Sequence, residues 1–126
     1  MAAATLLDEV LALARAGDVD AAADVLREAR KNGPLAEEHL SVFFQLTTKR
    51  GPTDEALELC AEALAVASRP LARSNWALRR GLLRLELADR AGALADLQAV
   101  LRLSANEGHV EQARAALVRV AALPKG

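Results

Sequence analysis

Arg69, Arg73, Trp76, Arg80 and Arg84, spaced four, three, four and four apart, make the densest chemical pattern in the chain. At 100° per residue they fall within one helical arc of about 80°. The opposite arc holds Leu71, Leu78, Leu82 and Leu85. Guanidinium forks pair with carboxylates and lie over aromatic rings, so the stripe could clasp an acidic partner segment. It could equally be satisfied internally, with its stems along the helix and its heads meeting Asp89, Asp96, Glu107 or Glu111.

Nucleophilic and acid–base chemistry has less to work with. His39 and His109 open different helices with no ligand pattern beside them, and read as surface or capping residues. Cys60 falls at a helix core position and reads as inert packing. There is no Gly-rich phosphate loop, paired-Cys zinc signature or acidic calcium loop. The expectation is a non-enzyme with no catalytic residue, no metal and no cofactor.

The elements that would position these residues are helices. Hydrophobic residues make up 52% of the chain but aromatics only 2%, with no Ile and no Tyr, so Ala and Leu supply the apolar mass. Both favour helix over strand. Turn chemistry at Gly17-Asp18, Gly33-Pro34, Gly51-Pro52, Arg69-Pro70, Ala88-Asp89 and Ser104 to Gly108 predicts seven helices: 3–16, 19–31, 35–49, 53–67, 71–87, 90–103 and 108–122. Short connections make neighbouring helices antiparallel hairpins.

A length of 126 residues predicts a single domain, 1–126. A net charge of −1 provides no global field to draw nucleic acid or an anionic membrane. The lone Cys60 points to a reducing compartment. The start "MAAATLLDEVLALARAGD" lacks a basic leader and carries Asp8 and Glu9, so it reads as a first helix rather than a signal peptide. No stretch is long and apolar enough to span a membrane. The expectation is a cytoplasmic protein, with the Ala, Leu and Arg richness of a GC-rich bacterial gene.

The helices repeat. Gly17 to Gly51 and Ala22 to Ala56 are both 34 residues, and Ala56 to Ala93 is 37. Alignment on Ala22, Ala56 and Ala93 puts Leu26, Cys60 and Leu97 four residues later and Ala29, Ala63 and Val100 seven later, on one face. A helix-turn-helix period of about 34 is the tetratricopeptide spacing. With "RRGLLRLELADRAGALADLQAVLRLSAN" as its best copy, the chain resembles a tetratricopeptide repeat protein: repeats 3–34, 37–69 and 71–105, then a capping helix 108–122. Gly81 and Ala93 occupy the motif's small-residue positions and Pro34 its terminal proline. Val10 and Phe44 depart from the small residue at the Gly81 position, and Arg80 and Arg84 replace apolar residues expected between repeats.

The resemblance implies a right-handed α-solenoid of antiparallel hairpins whose first helices line a groove. The positions carried over are Leu7, Leu11, Ser41, Gln45, Thr48, Asn75, Leu78, Leu82 and Leu85. Leucine anchors around a polar centre suit a peptide or amphipathic helix of another protein, so the expected role is a non-catalytic adaptor or chaperone. The family's carboxylate clamp is not expected, because Leu7, Leu11 and Val42 stand at its positions and only Asn75 and Arg79 fit. The alternative is a homodimer or larger self-assembled scaffold joined through the Trp76/Arg face or the exposed leucines. A one-residue shift in register would make the groove leucines core.

Overall fold

The computed structural model describes residues 5–125. Among them are seven α-helices and no strand: α1 (Leu6–Arg15), α2 (Val19–Lys31), α3 (Glu37–Thr47), α4 (Asp54–Val66), α5 (Pro70–Glu86), α6 (Arg90–Leu103) and α7 (Glu107–Ala121). Each corresponds to a helix expected from the turn signals. The expected start of the first, at residue 3, lies outside the described residues.

Short polar side chains start most of these helices by accepting otherwise unpaired N–H groups. Thr5 and Asp8 form a reciprocal capping box on α1. Asp18 caps α2, Asp89 caps α6 and Asn106 caps α7, each by accepting from the backbone three residues on. Pro70 opens α5, where its missing N–H costs nothing.

The turns before α2 and α6 have the same build. Gly17 (φ 85°) and Ala88 (φ 59°) are left-handed, and the following Asp18 and Asp89 N–H groups donate back to Leu13 O at 3.0 Å and Arg84 O at 2.8 Å. Ala88 adopts this conformation where a glycine would meet no Cβ penalty. Before α4 the cap comes one residue later relative to the aligned alanine: Thr53 Oγ1 accepts from Ala56 N at 3.0 Å.

The second helices bury matching positions. Ala22, Ala56 and Ala93 are fully buried, as are Leu26, Cys60 and Leu97. Of the third set, Ala63 and Val100 are fully buried and Ala29 partly. The spacings of 34 and 37 residues therefore mark matching buried positions on α2, α4 and α6.

The chain divides into two compact units, Met1–Leu59 and Cys60–Gly126. In the first, α1 packs on α2 and α2 on α3, with Val10, Leu26, Leu40 and Phe43 as large core side chains. Arg27 closes this unit by donating to both Glu55 oxygens at 2.8 Å, while Thr47 donates to Glu55 at 3.2 Å. The Arg27 hydrogen bonds hold the Glu55 carboxyl below its ordinary value of 4.5, against the opposing effect of burial. A carboxyl whose folded pKa is depressed stabilises the fold above its unfolded value, and that contribution is lost as pH falls through the folded value. Thermal melts from about pH 6 down to about pH 3 are therefore expected to show a smaller loss of Tm for Glu55→Gln than for wild type.

In the second unit α5, α6 and α7 pack mutually around Ala77, Leu78, Leu85, Ala93, Leu97, Val100, Ala113, Ala116 and Val120. Gly81 lets α5 and α6 approach closely: a Cβ there would lie 2.9 Å from two Leu97 side-chain carbons and 3.2 Å from Asp96 Cβ. Its smallness is a packing requirement.

Candidate functional site

The expected groove residues divide between surface and core. In the first unit, Leu7 and Leu11 of α1 are half-buried, on the flank of Val10, which is fully buried. On α3, Leu40, Phe43 and Leu46 face inward. Ser41, Gln45 and Thr48 share the other arc, Gln45 exposed and the other two half-buried. Thr48 also uses its hydroxyl locally, donating to Phe44 O at 2.7 Å.

In the second unit the expectation needs correction. Leu78 and Leu85 are each only 5% exposed and belong to the α5–α6–α7 core. Leu82 is partly buried against that core. The motif's register does not include the extra covering that α7 gives α5. The open arc of α5 instead carries Leu71, Asn75, Arg79, Leu82 and Glu86. Of the expected groove residues here, Asn75 and Leu82 keep outward surface.

The arginine stripe also needs correction. Trp76 is fully buried, so it presents nothing to an acidic partner or to a second copy. Arg79 lies over its ring at 4.6 Å. Arg80 grips Asp96 with both nitrogens of its fork, at 3.0 and 2.8 Å, and Arg84 reaches the same carboxylate at 2.9 Å. Asp96 is 4% exposed. Arg84 also lies 3.7 Å from Asp89. The internal reading of the stripe, with Asp89 and Asp96 as partners, accounts for Arg80 and Arg84. Arg73 remains exposed but spends one nitrogen on Leu64 O and Ala67 O, closing the end of α4. Arg69 is exposed at the start of α5.

Two chemistry-bearing residues meet that sequence reasoning did not pair. Ser74 Oγ lies 2.9 Å from His109 Nδ1, a separation at which an imidazole could act as base toward a hydroxyl. Ser74 is fully buried, so in this arrangement the pair ties α5 to α7. No local signal announces it, because the partners are 35 residues apart. Burial pushes the Cys60 thiol up to about 12, which keeps it protonated and poorly nucleophilic near neutral pH. Among the described residues no group of three His, Cys, Asp or Glu side chains is arranged to hold a metal ion, and no helix is long and apolar enough to cross a membrane.

No protein-family model, curated protein or solved structure matches the chain.

Proposed function

We propose that the chain is a tetratricopeptide-like α-solenoid, working in the cytoplasm as a non-catalytic adaptor or chaperone that captures a peptide or helical segment of a partner protein. The observation that carries this reading is the repeated register. Ala22, Ala56 and Ala93, with Leu26, Cys60 and Leu97 four residues later, are all fully buried, on α2, α4 and α6. A hairpin of this size cannot cover both its apolar faces alone, and stacking on a neighbour supplies the cover. In this reading the capturing residues are Leu7, Leu11, Ser41, Gln45 and Thr48 within the first unit and Asn75 and Leu82 within the second. Leu78 and Leu85 stabilise the scaffold instead.

α7 suits the role of cap. It buries Ala113, Ala116 and Val120, while Glu111, Gln112, Arg114 and Arg119 stay exposed. A preordered face limits the ordering cost of binding mainly to the partner.

Capture from source-cell extract tests the reading, with Leu7→Ser/Leu11→Ser and Gln45→Arg against a control in α7, Val118→Ser. Circular dichroism should give wild-type helix content for all three. The two first-helix variants are expected to lose about tenfold or more in affinity for any captured protein, and the control to retain it. Equal capture by all variants would remove this face from the function.

A further inference from the structure

The two units carry opposite charge. Residues 1–59 hold eleven acidic and six basic side chains, and residues 60–126 hold six acidic and ten basic. The near-zero total conceals this segregation.

Exposed cations of the second unit gather at one corner with apolar surface. Arg73 is tied to Leu64 O and Ala67 O at the last turn of α4, whose Val66 is 69% exposed. Arg73 and Arg102, from α5 and α6, flank an open depression of about 250 Å³ floored by Ala99 and Leu103, with no acidic side chain in its lining. Arg69 is exposed one turn before Arg73, on the same arc. Among the described residues, Arg69, Arg73 and Arg102 make no ion pair.

The first unit carries the complement. Asp20, Asp24 and Glu28 recur every four residues along α2, with side chains 75%, 70% and 70% exposed. This spacing lines up three carboxylates on one helix face. Their own partners, Arg50, Arg27 and Lys31, are surface contacts of little strength. Partly exposed Ala21 and Val25 run beside the stripe.

We propose that the Arg69–Arg73–Arg102 corner is a docking surface for a second copy of this chain, which supplies the Asp20–Asp24–Glu28 stripe of its α2. The contact is heterologous: each copy offers its basic corner to one neighbour and its acidic stripe to another. Val66 contributes apolar area against Ala21 and Val25, and the arginine forks set orientation. This surface is separate from the first-helix face of the proposed function, and either can fail without the other.

Sedimentation of the whole chain over a range of concentrations tests it. Wild type is expected to show a mass above monomer that rises with concentration at low salt, and to lose about tenfold or more in association constant at high salt. Arg73→Glu/Arg102→Glu and Asp20→Lys/Asp24→Lys/Glu28→Lys should each sediment as monomers, and an equimolar mixture of the two should associate again. Both variants alter exposed residues, and circular dichroism matching wild type shows each is folded. A wild-type monomer at every concentration in low salt, association indifferent to the charge reversals, or a mixture that stays monomeric would each overturn the proposal.

Discussion

Replacing Asp96 with alanine is expected to destabilise the chain by about 3 kcal/mol or more, read as a lower midpoint in urea. Asp96 is held by Arg80 and Arg84 through three hydrogen bonds of 2.8 to 3.0 Å, and its side chain is 5% exposed against 24% and 28% for theirs. Removing the carboxylate leaves two part-buried guanidinium groups facing each other without their shared counter-charge. That uncompensated charge, rather than the loss of a favourable bond, accounts for most of the effect. The triple replacement Asp96→Leu/Arg80→Met/Arg84→Met should recover most of the stability, because apolar residues of similar volume need no counter-charge. A loss below about 1 kcal/mol for Asp96→Ala would mean that the arginines are solvated and free to serve a partner.

Trp76→Ala is expected to cost about 3–5 kcal/mol, since it removes the largest fully buried side chain and leaves a cavity. Trp76→Phe should cost less, because it keeps part of the ring volume. Had the tryptophan been a contact for a partner, the alanine variant would keep its urea midpoint and lose binding. The measured pair of stability and capture separates the two cases, and full burial predicts that stability falls.

The fold was legible because its signals are local. Asp18, Asp89 and the Gly17 turn mark helix boundaries through chemistry within three or four residues, and the aligned alanines mark core positions through simple spacing. Side-chain pairing across helices was less accessible. Arg80 and Arg84 have the periodicity of a surface stripe, and only the placement of α6 puts Asp96 beneath them. Leu78 and Leu85 resemble anchors until α7 covers them. The Ser74–His109 meeting depends wholly on tertiary packing. The opposite charges of the two units, by contrast, were present in the composition but vanish when the chain is counted as one body.

An experimental structure of the chain, with the helix pairs α1–α2, α3–α4 and α5–α6 superposed on one another by backbone alone, tests the central claim most directly. The account predicts a best fit that places Ala22, Ala56 and Ala93 together, with Leu7, Leu11, Gln45 and Asn75 all reaching solvent. Hairpins that fit only in a shifted register, or leucines 7 and 11 sealed in the interior, would contradict it.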